Sequence, residues 1–350
     1  MSTPLDYPIG SRPEAGSTIE VKPGVLWVRM PIPIPGLDTI NLWLLADGEG
    51  WTLVDTGLKH KPIKEHWETI FARHLGGKPV TRIVATHMHP DHIGQAGWLT
   101  ERFGCRLWIT QREWLFARML SLDSLPEPPE TAVAFYRRLG FDEAALAEFR
   151  SWGYGNFARG VTPIPTSFRR IRDGEEIAIG GRRWRVIVGE GHSPEHACLH
   201  SPELGLLISG DQVLPKISPH IGVYPSEPEM NPLGDYLASL PRLKVVPDET
   251  LVLPSHGDPF LGLHRRLDAL SHHHDARLEA LAAACAEPRV LVDVLPVLFK
   301  RELNARSRFM AAHEALAHVN LLIARGQVER VTGADGVLRF RATSRSEAAA

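Results

Sequence analysis

Thr86-His87-Met88-His89-Pro90-Asp91-His92 is the stretch that decides the fold. Four metal-ligating side chains fall within six positions. The stretch follows an apolar, β-branched run, Arg82–Ala85, and precedes a helix-like pattern, Gly94–Phe103. At a strand end, His87 and His89 project to one side because alternate residues share a face. Asp91 and His92 then open the next helix and can turn toward a second ion. Imidazole and carboxylate together suit Zn2+, or Mn2+ and Fe2+.

Three more apolar runs end in small-residue loops that each present one ligand. Trp184–Val188 leads into Gly189-Glu190-Gly191-His192, Leu206–Ser209 into Gly210-Asp211, and Leu251–Leu253 into Pro254-Ser255-His256. Any one alone reads as an ordinary turn residue. Together they supply an imidazole for a first ion, an imidazole for a second, and a carboxylate able to bridge. A chance histidine-rich loop would not bring such partners.

Further short runs, Val25–Val28, Thr39–Leu45, Trp51–Val54 and Arg106–Ile109, are bounded by Gly, Pro, Asp or His, as strands are. Pro62–Leu75 carries Ile63, Trp67, Ile70 and Phe71 at helical spacing. Strands interleaved with helices predict a layered α/β fold. Residues 111–166 differ. They read as two or three helices broken at Pro126-Glu127-Pro128-Pro129, are dense in aromatics such as Trp114 and Trp152, and are expected as a helical insertion. Beyond His256, three helices (Arg265–Ala286, Val290–Lys300, Phe309–Arg325) and a hairpin around Gly333–Gly336 suggest a winged-helix module. The expected organisation is an N-terminal arm (1–20), an α/β domain (21–264), a winged-helix-like domain (265–342) and a frayed tail (343–350).

The H-x-H-x-D-H motif and the ligand loops resemble those of the metallo-β-lactamase superfamily over roughly the first three quarters of the chain. The resemblance implies a four-layer αββα sandwich and two divalent ions. Carried over residue by residue, His87, His89 and His192 would hold one ion and Asp91, His92 and His256 the other, with Asp211 bridging. Asp55, in Val54-Asp55-Thr56-Gly57, matches the family's supporting aspartate and would orient a ligand. A bridging Asp211 resembles glyoxalase II-type and ribonuclease-type members. No cysteine occupies a ligand position, which disfavours lactam hydrolysis, and His89 stands where the flavodiiron branch has Glu. A mononuclear iron dioxygenase keeps part of the set and stays open. The stretches Ser209–His220 and Asn231–Leu237 are similar to the branch with a lactamase-associated winged helix, which holds endoribonucleases and thioesterases.

A hydroxide bridged by two ions has its pKa lowered toward neutrality and can attack a carbonyl or phosphorus. Asp91 is placed among the catalytic residues, with His220 and Tyr224 as proton donors or substrate hydrogen bonders. The first functional reading is a hydrolase of esters or thioesters, such as acyl-CoA-like or carrier-bound acyl groups. The second is a single-strand endoribonuclease, supported by the basic cluster Lys300–Arg308. A non-catalytic DNA-binding winged helix is disfavoured by a balanced charge; a helix cap or homodimer contact is the expected role. The tract Ser271-His272-His273-His274-Asp275 lies inside a predicted helix, where adjacent side chains diverge, and is read as solvated or packed.

The chain carries 39 basic and 41 acidic residues, a formal net charge of −2, so no global footprint for nucleic acid or an anionic membrane exists. A small-molecule acyl substrate is the expected partner. Cys105, Cys198 and Cys285 are widely spaced and form no framework, which favours a reducing compartment. The polar segment 1–17 has no apolar core of a secretory signal, and no stretch is long enough to span a bilayer, so a cytoplasmic protein is expected.

Overall fold

The computed structural model describes residues 4–33 and 37–343; residues 344–350, most of the expected tail, lie outside them. One sheet has seven strands in sequence order: β1 (Thr18–Lys22), β2 (Val25–Pro31), β3 (Thr39–Asp47), β4 (Gly50–Val54), β5 (Val80–Val84), β6 (Arg106–Ile109) and β7 (Arg169–Arg170). Its first four strands are antiparallel; β4 to β7 are parallel. A second sheet runs in the order β12-β11-β10-β9-β8, from β8 (Glu176–Ile179), β9 (Arg182–Gly189), β10 (His196–Ser201), β11 (Leu206–Gly210) and β12 (Leu251–Pro254). A third joins β13 (Arg289–Val290), β15 (Leu338–Ala342) and β14 (Val328–Thr332). The helices are α1 (Lys61–Arg73), α2 (Pro90–Ile93), α3 (Ala96–Phe103), α4 (Gln111–Leu122), α5 (Glu130–Arg138), α6 (Glu143–Ser151), α7 (Asn156–Gly160), α8 (Pro232–Leu243), α9 (Leu263–Ala284), α10 (Leu291–Leu298) and α11 (Ala305–Ala324).

Period-two alternation explains the layering. Along β2 and β3, Val25, Trp27, Trp43 and Leu45 face the second sheet, where they pack with Trp184, Val186, Leu199, Leu206, Ile208 and Leu253. The intervening Leu26, Val28, Met30, Ile40, Leu42 and Leu44 face the opposite way. They pack against Ile63, Trp67 and Ile70 of α1 and Leu99 of α3. Both faces of this sheet are therefore apolar, as a sheet between a sheet and a helical layer requires. This is the α/β sandwich expected from the sequence.

The chain forms two compact units. The first comprises residues up to Ser124, 155–219 and 239–267; the second comprises 125–154, 220–238 and 268 onward. The aromatic segment is divided between them: α4 belongs to the first unit, α5 and α6 to the second. In the second unit the rings of Tyr136, Phe141, Phe149 and Trp152 surround Phe309 of α11 at centroid distances of 4.7, 4.3, 5.4 and 5.2 Å. In the first unit Trp114 stacks on Phe168 at 4.5 Å and donates its indole N–H to Pro165 O. His274 is buried inside α9, its Nδ1 3.2 Å from His318 Nε2, so the histidine tract is partly packed and partly exposed, as read. Among the described residues no helix is long and apolar enough to cross a membrane.

Candidate metal centre

Asp55 and the candidate ligand residues all follow the C-terminal ends of strands. Asp55 follows β4, the His87–His92 stretch follows β5, His192 follows β9, Asp211 follows β11 and His256 follows β12. Strands β9 and β11 both pair antiparallel with β10, and β12 is parallel to β11, so these three end on one edge of their sheet. The N–H of Ala197, on β10, bonds Thr86 O at 2.8 Å and joins that edge to the histidine loop. Pro90 opens the short helix α2, where its missing N–H is no loss. That turn points Asp91 and His92 inward.

Three imidazoles converge. His87 Nε2 lies 2.9 Å from His89 Nδ1, His89 Nδ1 lies 3.0 Å from His192 Nε2, and His192 Nε2 lies 3.2 Å from His87 Nε2. A second group faces it. His256 Nε2 is 3.4 Å from Asp91 Oδ2, and His92 Nε2 is 3.7 Å from the same oxygen. Asp211 stands between the two groups. Its Oδ2 is 3.5 Å from His192 Nε2, while its Oδ1 is 3.5 Å from both His92 Nε2 and His256 Nε2.

Each imidazole whose far nitrogen can be traced is anchored there. His92 Nδ1–H donates to Asp55 Oδ2 at 2.8 Å, and His256 Nδ1–H donates to Thr39 O at 2.8 Å. Thr86 donates its hydroxyl to Asp55 Oδ2 at 2.8 Å and lies 3.1 Å from His87 Nδ1, whose proton it can accept. Asp55 also accepts the N–H of Thr86 at 2.7 Å. Its φ of 59° lies in the left-handed region, which Asp tolerates better than most residues. These bonds fix the tautomers so that Nε2 of His87, His92 and His256 presents a lone pair. Asn41 holds the His256 loop through Pro254 O at 2.8 Å and Gly257 O at 2.7 Å, and is itself held by the Trp27 indole at 2.9 Å. Gly210, at φ 53°, precedes Asp211 because any Cβ there would collide with the His196 ring. His196 Nε2 accepts the Asp211 N–H at 3.0 Å.

The donor set fits metal ions. His92 Nε2, His256 Nε2 and Asp211 Oδ1 are buried and have no hydrogen-bond partner among the described residues, although such atoms are ordinarily paired. Burial, and then the neighbouring His92 and His89, hold His87 well below the ordinary imidazole range. Burial followed by His192 takes His89 down to about 3. Both shifts favour the neutral imidazole, the form that ligation requires. Desolvation opposes charge on His92 too, but the carboxylates of Asp91, Asp211 and Asp55 together raise it. Converging lone pairs beside carboxylates are what a divalent cation, rather than a proton, would satisfy.

A family model described as the metallo-beta-lactamase superfamily matches residues 35–256. The chain belongs to the metallo-beta-lactamase superfamily. A second model, described as metallo-beta-lactamase-like, C-terminal domain, matches residues 278–343. A beta-lactamase domain protein from Burkholderia ambifaria, known from its crystal structure, is 47% identical with a TM-score of 0.90, over 97% of this chain and 98% of that one. An acyl-coenzyme A thioesterase of Gallus gallus, MBLAC2, is 26% identical over 68% of this chain and 79% of its own length. A hydroxyacylglutathione hydrolase of Chromohalobacter salexigens is 25% identical over 88% of this chain and 96% of its own. The lactamase-like protein vrtG of Penicillium aethiopicum is 24% identical over 71% of this chain and 62% of its own length, so less than two thirds of that relative is spanned.

The structure brings together all seven sequence-assigned ligands of this metallo-beta-lactamase superfamily member, in groups that could hold metal ions, with Asp55 behind them. His220 and Tyr224 belong to the second unit. There His220 Nδ1 lies 3.8 Å from Glu314 Oε2, and the Tyr224 ring lies 4.7 Å from that of His313. The sequence pattern does not point to Thr86, Asn41 or Glu113. Glu113 is fully buried in α4 and contacts loops distant in sequence, so no local pattern signals it.

Proposed function

We propose that the chain is a metal-dependent hydrolase with a two-ion, zinc-type centre that cleaves thioesters or esters of small acyl groups. The observation that carries the reading is Asp211, whose two oxygens face different ligand groups. His87, His89 and His192 would hold one ion, Asp91, His92 and His256 the other, and Asp211 both. Bound divalent ions supply Lewis acidity and a water acidic enough to act as nucleophile near neutral pH. The chain's own residues favour the neutral form of His87 and His89, fix the tautomers of His87, His92 and His256 through Thr86, Asp55 and Thr39 O, and hold Asp211 by its backbone through His196.

Two of the named relatives act on thioesters by their names. A thiolate leaves with little help from an acid, so a thioester asks less of the surrounding residues than a phosphodiester does. Two side chains of the basic cluster rest on aromatic rings, while Lys300, Arg301 and Arg306 remain exposed. Arg306 lies over the Trp152 ring at 5.2 Å and Arg308 over Phe141 at 5.3 Å. A segment as rich in aromatics as 111–166 would suit an apolar lid over acyl chains. That support is withdrawn, because Tyr136, Phe141, Phe149 and Phe309 are core residues. Trp152 packs with them, and Trp114 is engaged with Phe168.

The test is initial rates of metal-loaded protein on acyl-CoA thioesters of increasing chain length, hydroxyacylglutathione, an activated ester and single-stranded RNA, at low and high salt. Thioester turnover with mild salt dependence is expected, because a balanced surface gains little from counterion release. Inert thioesters beside salt-sensitive RNA cleavage would move the assignment to the endoribonuclease reading.

A further inference from the structure

Glu113 lies at the third position of α4, counted from an N-cap at Thr110. A glutamate there ordinarily folds back to cap its own helix. This one does not: it is fully buried and reaches two loops that carry metal-ligand residues. Its Oε2 accepts the N–H of Met88 at 2.9 Å, and its Oε1 accepts the N–H of Glu195 at 2.7 Å. Met88 stands between His87 and His89, and Glu195 stands three residues after His192. One carboxylate therefore spans the backbones that carry all three imidazoles of one ligand group.

The first turn of α4 is tied to the second loop twice more. Thr110 donates its hydroxyl to Glu195 O at 2.8 Å, and Glu195 Oε2 accepts the Arg112 N–H at 2.8 Å. The helix end is thus capped from the His192 loop, by a residue eighty-three positions away, rather than by Thr110. A helix of 12 residues is a rigid platform, and both loops register against it.

We infer that Glu113 is a positioning residue: its two backbone bonds set the spacing of His87, His89 and His192, and thereby the affinity of the ion that this group holds. This rests on the two-ion reading. The second group does not depend on the same tie. His92 is anchored on Asp55 and His256 on Thr39 O, and neither bond involves α4. Loss of the Glu113 clamp should therefore weaken one ion and spare the other.

The decisive variant is Glu113→Gln. It preserves volume and one acceptor but turns an NH2 donor toward one of the two backbone N–H groups. Full-length wild type and E113Q are titrated with Zn2+ and Co2+ against a competing chelator, and the Co2+ absorption spectrum is recorded. The expected result is two ions in each protein, with one bound about 10- to 100-fold more weakly in E113Q and a changed Co2+ spectrum. In the double variant with His89→Ala, E113Q should add little further loss, because both changes act on one group. If E113Q does not fold, Thr110→Val removes only the hydroxyl tie to Glu195 O. It should weaken the same ion by a smaller factor. E113Q, or in its place T110V, with both affinities and the Co2+ spectrum as in wild type would overturn the inference alone. A wild type that takes up no metal would overturn the two-ion reading and this inference with it.

Discussion

Asp55→Asn isolates the support of the second ligand group. The Asp55 carboxylate is buried and receives three donors: the Thr86 N–H at 2.7 Å, the Thr86 hydroxyl at 2.8 Å and His92 Nδ1–H at 2.8 Å. Asn keeps the shape, and it tolerates the left-handed backbone at φ 59°, so the turn itself is not disturbed. What changes is that an NH2 replaces one oxygen and faces a donor. One buried donor left unmatched costs about 1–3 kcal/mol of stability. In a unit of this size that lowers the melting temperature by about 2–4 °C per kcal/mol. The effect on metal is separate. Without an acceptor at Nδ1, His92 is no longer held with its lone pair on Nε2. Changes of this type weaken metal binding about 10- to 100-fold, or about 1.4–2.8 kcal/mol. A chelator-competition titration reads the affinity and calorimetry reads the stability. The loss should fall on the ion held by Asp91, His92 and His256, the opposite ion to that affected by Glu113→Gln. D55N with unchanged affinity at both ions would refute the claim that Asp55 fixes the His92 tautomer.

Gly210→Ala should lower the melting temperature and disturb Asp211 together, because φ 53° alone costs a Cβ-bearing residue about 1–2 kcal/mol and the new methyl meets the His196 ring; unchanged melting and metal content would show that the close approach is not needed. The metal-free protein should show a pH effect from Glu113, whose carboxyl is pushed by burial up to about 7 from an ordinary 4.5. A raised carboxyl contributes stability below its unfolded pKa and loses it as pH rises toward 7, an effect of roughly 3 kcal/mol. The difference in unfolding free energy between wild type and E113Q should therefore shrink as pH rises from about 5 to 7, and parallel curves would contradict it.

The candidate metal ligands are legible because each is announced locally. A strand pattern ends, a small residue follows, and His or Asp comes next, as in Gly210-Asp211 and Gly191-His192. The core faces of β2 and β3 were legible for the same reason, since alternation is a short-range signal. Edge strands β1 and β8 also alternate, as in Thr18-Ile19-Glu20-Val21-Lys22, but each offers only two large apolar side chains, so neither stands out as an apolar run. Helix α8 carries Gly234 and Pro241, both unfavourable inside helices, so its pattern does not read as one. The aromatics from Phe135 to Trp152 were visible as a dense run, yet their burial against Phe309 depends on a helix more than 150 residues away. Glu113 and Asn41 act on backbone groups of remote loops, and no sequence pattern records which backbone a side chain will meet.

In the proposed two-ion centre Asp211 joins the two ligand groups. Elemental analysis of the full-length protein, purified without chelator and reconstituted with Zn2+, tests it most directly when wild type and Asp211→Ala are measured side by side. Close to two equivalents of metal are expected in the wild type and about one or fewer in a folded D211A. A wild type that holds no metal after loading, or a D211A that retains both ions, would contradict it.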